Sequence, residues 1–455
     1  MVKSRGYLRD LVSGFGHTII QASPTIYDGI GIQVKPTVLI FSTTRWFPTA
    51  RLGMALANAG CTVDAICLSH HPLALTKAAR RLYKYTNFAP FTSLVRAIAA
   101  SNPDLIIPGD DLATHRLHEL YFHESLDATK NSGLCALIER SLGSPESFPI
   151  VYERARFMRV AQEAGVRIPK TALIRDSDEL QAWTSESGFP VVLKADGSSG
   201  GEGVKVVRTT EEAGRAFRKL QAPPLLARAV KRALFDGDAN LLWPSLLRRH
   251  PVVSAQAFVE GREANSTVAC WKGRVLAALH FEVGNKKHST GHATVIRRID
   301  HTEMTGAVEA LVSRLKLSGM HGFDFMLEAK TGNAYLIEIN PRSTQVGHLP
   351  LGPGHDLPAA LVAAVTDGPV HAAPTVTEND TIALFPQEWT RDPASPFLQT
   401  AYHDVPWDEP ELLRACVNRA RKQNRSLRQH DWELAVANLM RVVPQKDAGE
   451  RQKTT

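Results

Sequence analysis

The stretch Gly322-Phe323-Asp324-Phe325-Met326-Leu327-Glu328, its turn Ala329-Lys330-Thr331-Gly332-Asn333, and the return run Ala334-Tyr335-Leu336-Ile337-Glu338-Ile339-Asn340 decide how this chain is read. Strand side chains alternate between faces. Asp324, Met326 and Glu328 are therefore expected on one face, with Phe323, Phe325 and Leu327 on the other. In the return run, Leu336, Glu338 and Asn340 are expected to share a face, with Tyr335, Ile337 and Ile339 opposite. A three-residue turn at Lys330-Thr331-Gly332, glycine in the left-handed position, sets Asp324 directly across from Glu338. Like charges about 5 Å apart at Cβ repel, and a cation between them removes the repulsion. Asn340 follows roughly 7 Å along the same face. Two carboxylates and an amide oxygen form a hard-oxygen set that suits Mg²⁺, which completes its octahedron with water and phosphate. The competing reading is a half-exposed hairpin with a polar outer face. A register slip of one residue would break the pairing.

Upstream, Phe189-Pro190-Val191-Val192-Leu193-Lys194-Ala195-Asp196 reads as a strand. The loop Gly197-Ser198-Ser199-Gly200-Gly201-Glu202-Gly203 follows, and then a second strand from Val204. Four glycines and two serines in seven residues let backbone N–H groups turn toward an anion. Lys194, inside an apolar strand, is placed to reach phosphate oxygens. No Gly-Lys-Ser/Thr follows, so this is not a Walker loop. Gly197-Ser198-Ser199-Gly200-Gly201 also fits G-x-S-x-G, but a nucleophile elbow needs a helix after its serine, and the valine-rich run after Gly203 argues for a strand. A plain flexible hairpin stays open at this point.

The whole chain has 455 residues, room for about three domains. Apolar residues make up 44% and charged residues 22%, which excludes wholesale disorder. The formal charge of +7 is mild for this length. It suits anionic small molecules and does not indicate nucleic acid. Five cysteines without a close CxxC pair argue against a disulfide framework or zinc ribbon and for a reducing, cytoplasmic setting. No apolar run approaches the roughly 18 residues of a membrane helix, and the basic N-terminus lacks a signal-peptide core.

Residues 1–36 read as an irregular lead-in. From 37 to 145 a βα pattern runs: strands Thr37–Phe41, 62–68 and 105–107, with a helix at 48–59. Such alternation implies a parallel sheet whose ligands meet the carboxyl ends of strands. That makes Thr43, Thr44, Arg45, Asp110 and Asp111 candidate ligand groups, with helix capping as the alternative. A boundary is expected near 146, and a helix at 153–164. Strands are expected at 251–259, 266–270, 274–283 and 293–299, and a helix at 303–317. The stretch 221–250, carrying Arg228, Lys231, Arg232, Arg248 and Arg249, reads as a basic helical insertion or a solvated surface helix. After 370 the pattern is less regular, with a helix at 409–423 and a disordered last ten or so residues. His118 and His123 stand five apart, about 140° around a helix. That fails the zinc spacing and predicts surface histidines.

Lys194 with its glycine loop, followed about 130 residues later by Asp324, Glu338, Asn340 and Arg342, resembles the ATP-grasp superfamily over about residues 150–350. The ending Glu338-Ile339-Asn340-Pro341-Arg342 is similar to the branch that includes carbamoyl-phosphate synthetase and biotin carboxylase. The resemblance implies an α/β and α+β architecture. A Rossmann-like pre-ATP-grasp domain (37–145) precedes a two-lobed ATP-grasp domain (146–370) and a small C-terminal region (371–455). It implies ATP and Mg²⁺ (or Mn²⁺), with metal ligands Asp324, Glu338 and Asn340. Arg156 and Lys194 would hold the α/β-phosphates, and the loop Gly197, Ser198, Ser199, Gly200, Gly201 and Gly203 would cover the β/γ-phosphates. Phe258 and Val259 would meet adenine at the hinge, and Glu263 the ribose. Arg342, with Lys194, would serve the transferring phosphoryl group. Arginine at 156 in place of a lysine keeps the charge in a fork geometry. Ser343-Thr344-Gln345-Val346-Gly347-His348 departs from the biotin carboxylase continuation, which argues against bicarbonate. The implied activity is an ADP-forming ligase that joins a carboxylate, activated as acylphosphate, to an amine. A small-molecule kinase and a non-catalytic ATP-binding module are the alternatives. Small-molecule substrates are the implied partners, without nucleic acid or membrane span, and a homodimer is an open option. The loop 284–291, with Lys286, Lys287 and His288, is either a substrate-carboxylate site or a solvated tip. The aromatic stretch 385–407 fits core better than lid.

Overall fold

The structure, a computed structural model, describes residues 35–126, 132–196, 203–222, 250–287, 291–423 and five residues between 432 and 439. The lead-in to 34, the loop residues Gly197, Ser198, Ser199, Gly200 and Gly201, the insertion at 223–249, His288 and the tail from 440 lie outside the described residues.

Short apolar runs build the first sheet. Strands β1 (Thr37–Phe41), β2 (Thr62–Cys67), β3 (Ala79–Lys84) and β4 (Leu105–Pro108) pair in parallel in the order β3-β2-β1-β4. The central strand β1 and the edge strand β4 are almost wholly buried, as continuous apolar runs in a covered parallel sheet should be. Helices α1 (Phe47–Asn58), α2 (Pro90–Ser101), α3 (Asp111–Ser125) and α4 (Ser132–Leu142) cover it. Strand β3 was not anticipated. Arg80, Arg81 and Lys84 hide its pattern, and basic side chains are what keeps an edge strand from pairing further.

Helix α5 (Arg154–Glu163) leads into an antiparallel sheet of β5 (Thr171–Ile174), β6 (Val191–Ala195), β7 (Val204–Val207) and β8 (Val253–Ala257), in the order β5-β8-β6-β7. Val191, Leu193 and Ala195 turn into a small core with α6 (Ser177–Ser187) and α7 (Thr210–Gln221). By alternation Lys194 faces the other way.

The large sheet holds β9 (Gly261–Trp271), β10 (Arg274–Lys286), β11 (Ala293–Arg298), β12 (Gly319–Glu328) and β13 (Ala334–Asn340). Two strands of the C-terminal region, β14 (Thr381–Leu384) and β15 (Tyr402–Asp404), complete it in the order β13-β12-β9-β10-β11-β14-β15. Residues set apart on sequence as a C-terminal region thus share this sheet; runs of three and four residues are too short to show a period of two. Beneath the hairpin, Phe323, Phe325, Leu327, Leu336 and Ile339 pack on α5 and on α8 (Thr302–Arg314). On the opposite side, Leu279, Phe281 and Ile296 share one core with Val38, Ile40 and Leu56 of the parallel sheet and α1, and with Leu361 of α9 (Leu357–Thr366). That shared core fixes the loops at the carboxyl ends of β1 and β4 beside the hairpin. Helix α10 (Pro410–Gln423) lies close to the anticipated 409–423. Phe385 and Trp389 are core residues.

Candidate functional site

The β12–β13 pairing places Asp324 opposite Glu338 and Gly322 opposite Asn340. The route to this register differs from the expected one. The turn has four residues, Ala329 to Gly332, closed by Glu328 N–H donating to Asn333 O (2.9 Å) and Gly332 N–H donating to Glu328 O (2.8 Å), with Gly332 at φ 75°. One extra residue in the turn is offset by a register shift between Asp324 and Phe325, which leaves Ile337 as the bulged residue. The bulge also corrects the face assignment. Leu336 pairs with Phe325 on the buried side, while Glu338 and Asn340 stay with Asp324.

Around the two acids stand three cations. Lys194 is almost fully buried and its Nζ donates to Ile337 O at 3.2 Å. Burial pulls its pKa down to about 8, and the neighbouring Arg154 adds to this while Glu338 and Asp324 oppose it. Arg154 bridges two carboxylates, with Nη1 at 3.0 Å from Asp196 Oδ1 and Nη2 at 2.8 Å from Glu338 Oε1. Burial alone would raise the Glu338 pKa, but Arg154 and Lys194 hold it below the ordinary value. Asp324 goes the other way. Burial, and then the Glu338 charge, push it up to about 7, against the Asn340 hydrogen bond (Nδ2 to Oδ2, 3.0 Å). Two close carboxylates that cannot both ionise comfortably fit a hard divalent cation, and the Asn340 amide, which here turns Nδ2 to Asp324 and Oδ1 to Arg342, would add its oxygen on turning over.

Arg342 is the third cation. Its Nε donates to Asp111 Oδ1 (3.0 Å), Nη1 to Ser343 O (3.2 Å) and Nη2 to Asn340 Oδ1 (3.3 Å), and its guanidinium lies 5.1 Å from the Trp46 ring. Asp111 and Trp46 belong to the α/β unit, so the end of the hairpin is clamped to the carboxyl edge of the parallel sheet.

Arg156 does not join this group. It is half exposed and sits 3.9 Å from Glu153. The helical period explains the choice between two arginines. Arg154 shares a face with the buried Phe157, Met158 and Ala161, while Arg156 lines up with the solvent-facing Arg159 and Glu163. That phase was present in the sequence and would have selected Arg154. His118 is likewise not at the surface. It is buried and stacked on Phe148 at 3.8 Å, and burial holds its pKa well below the usual value. His123 is exposed beside Glu124. Among the described residues no set of three or more metal-ligating side chains of the His/Cys/Asp/Glu kind occurs.

Phe258 and Val259, both at least partly exposed, carry the chain from β8 of the small sheet to β9 of the large one. Gly261 follows where a Cβ would meet Leu327 O at 1.9 Å, so only glycine allows the hinge to lie this close to β12. Glu263 pairs with Met326 on the face of Asp324, and its carboxylate takes Lys286 Nζ at 2.6 Å. Gly203 immediately precedes β7; the loop residues before it lie outside the described residues. Asp110 is a cap. Its carboxylate accepts from Ser42 Oγ (2.8 Å), Thr43 N (2.7 Å), Thr43 Oγ1 (2.6 Å), Thr44 N (3.1 Å) and Ala113 N (3.0 Å).

Two family models match this region: "Carbamoyl-phosphate synthase L chain, ATP binding domain" over residues 153–236 and "ATP-grasp domain" over residues 243–346. Residues 153–346 of the chain belong to the ATP-grasp superfamily. The chain is 27% identical over 207 residues to the carbamoyl phosphate synthase large chain of Kocuria rhizophila, covering 44% of this chain and 17% of that protein. The matched stretch is thus less than a fifth of the relative's length. Among solved structures, the biotin carboxylase domain of Hydrogenobacter thermophilus 2-oxoglutarate carboxylase, in complex with MgADP and bicarbonate, superposes with a TM-score of 0.52 at 17% identity, over 74% of this chain and 71% of that one. N5-carboxyaminoimidazole synthetase of Staphylococcus aureus gives 0.51 at 14%, over 74% and 79%. These likenesses establish the two-lobed ATP-grasp fold behind an α/β unit. Among the described residues no helix is long and apolar enough to cross a membrane.

Proposed function

We propose that this chain is an ATP-dependent, ADP-forming ligase that activates a carboxylate as an acylphosphate and joins it to an amine. The observation that carries the reading is the convergence of Lys194, Arg154 and Arg342 on the paired carboxylates Asp324 and Glu338, at the junction of the two lobes. Phosphoryl transfer asks mainly for positioning and charge neutralisation, and this set supplies both.

Lys194 and Arg154 hold the polyphosphate, and Gly203 ends the glycine loop that covers it. Phe258 and Val259 take the adenine edge, and Glu263 the ribose hydroxyls. A Mg²⁺ (or Mn²⁺) ion held by Asp324, Glu338 and Asn340 would neutralise charge on the phosphates. Arg342, held by Asp111 and Trp46, faces the carboxylate under activation. A carboxylate oxygen attacks the γ-phosphorus, the bond from phosphorus to the β,γ-bridging oxygen breaks, and ADP leaves with that electron pair. The amine nitrogen then attacks the acyl carbon and loses a proton, and inorganic phosphate departs with the carbon–oxygen pair.

The test is ADP release over a panel of carboxylic acids with hydroxylamine present. Trapped hydroxamate is the expected product. A stable phosphoester would replace the ligase with a kinase, and tight nucleotide binding without turnover of any acid would leave a binding module.

A further inference from the structure

The parallel sheet changes direction at β1. The chain steps from β1 to β2 on one side, while β4 lies on the other. Ligands of open α/β sheets sit outside the carboxyl ends of the strands at such a point. Three loops border it here: 42–46 after β1, 68–71 after β2 and 109–111 after β4.

Most polar groups in this crevice are already used. Asp110 takes the hydroxyls of Ser42 and Thr43 and the amides of Thr43 and Thr44. His71 is different. It is 1% exposed, and it follows His70, which holds the left-handed φ of 60°. Its Nδ1 accepts the Leu73 N–H at 3.0 Å, so the ring proton of the neutral imidazole resides on Nε2. Nε2 is buried and has no partner among the described residues. Burial keeps the ring neutral, with a pKa near 4; among its charged neighbours Asp110 raises that value and Arg45 lowers it. A buried, oriented N–H without an acceptor is a standing penalty, which an incoming oxygen anion would remove. Arg45, oriented by its Nε bond to Ser69 O (2.7 Å), provides a cation in the same corner. One cation and one neutral donor beside the ionisable Asp110 suit a singly charged carboxylate better than a doubly charged phosphate.

The loops that border the crevice also reach the reaction centre. Arg45 precedes Trp46, on whose ring Arg342 lies, and Asp110 precedes Asp111, which takes the Arg342 Nε. We infer that this crevice binds a second carboxylate of the activated acid, remote from the reacting one, through the Nε2–H of His71 and the guanidinium of Arg45. The inference rests on the ligase reading and narrows its substrate class to acids bearing two carboxylates.

The experiment uses the full chain and two readouts. Hydroxamate formation is followed with the diacids malonate to adipate, with aspartate and glutamate, and with monoacids of matched length. Thermal stabilisation by Mg²⁺ and AMP-PNP is measured alongside. At least one diacid should half-saturate about tenfold or more below its monoacid. Arg45→Met and His71→Asn should each erase that advantage, by about tenfold, the loss of one charge-assisted or buried hydrogen bond. Asparagine keeps the cap on Leu73 and lacks the Nε2 donor, so loss of folding and loss of binding are separable. Arg45→Lys should recover part of the effect. The inference is overturned if monoacids saturate as readily as diacids, if both variants leave diacid saturation unchanged, or if no acid is used although AMP-PNP stabilises the protein. Absence of stabilisation by Mg²⁺ and AMP-PNP would sink the ligase reading itself, and the inference with it.

Discussion

Two aspartates, Asp110 just past the end of β4 and Asp324 in the middle of β12, meet opposite fates in this molecule. Asp110 stands at the carboxyl end of β4 and is saturated by hydroxyls and amides from its own neighbourhood, so it caps α3 and braces the loop after β1. Asp324 faces another carboxylate, has one amide donor from Asn340, and is pushed up to about 7 by burial and by the Glu338 charge. A carboxylate supplied with local donors is architecture. A carboxylate set against its like, with three cations grouped around the pair, is prepared for a ligand that carries charge.

Each side of that contrast can be attacked. Glu338→Gln should have the largest effect. It removes charge with little change of volume, so ADP release should fall by roughly a hundredfold or more, with an unchanged circular dichroism spectrum; a fully active variant would remove the acids from the chemistry. Arg154→Met should lower turnover by about ten- to a hundredfold, through loss of a charge-assisted bond to Glu338, while Arg156→Met should leave rates within about twofold, as surface substitutions do. Equal losses in the two would erase the assignment drawn from the helical phase. Asp110→Asn should act on stability instead. Unpairing buried donors is worth about 1–3 kcal/mol, read as a lower midpoint in denaturant, with stabilisation by Mg²⁺ and AMP-PNP retained.

The smallest effect is on pH. Lys194 has a folded pKa lowered to about 8, so its cation is complete below that value and is lost as pH rises through it. Nucleotide affinity, measured by titration calorimetry, should therefore weaken several-fold between about pH 7 and pH 9. The same depression means that protonated Lys194 opposes folding below about pH 8, an opposition relieved as pH climbs toward the unfolded value. Affinity that is flat across this window would place Lys194 away from the phosphates.

Much of this was legible along the chain. Strand β1, helix α10, the β6–β7 pair and the acid hairpin follow from period and punctuation, and Asp324 does lie opposite Glu338. Yet the expected three-residue turn is a four-residue turn whose shift the bulge at Ile337 cancels. The pairing of the acids survived an error that the face of Leu336 did not. The choice of Arg154 over Arg156 was available in the 3.6-residue period. Burial of His118 was not, because it depends on Phe148 approaching from outside the helix.

Local composition determined the alternation of strands, the buried lysine of β6 and the two acids of the hairpin, since period and side-chain type act over a few residues. Only the tertiary structure decided that Arg342 would be held by Asp111 and Trp46, that Asp404 of β15 would be buried against Arg51 and His348, and that the His71 N–H would find no acceptor among the described residues. Those contacts join residues up to 353 positions apart. They exist because one apolar core spans both the parallel sheet and the large sheet, and no local pattern encodes which distant loops such a core will bring together.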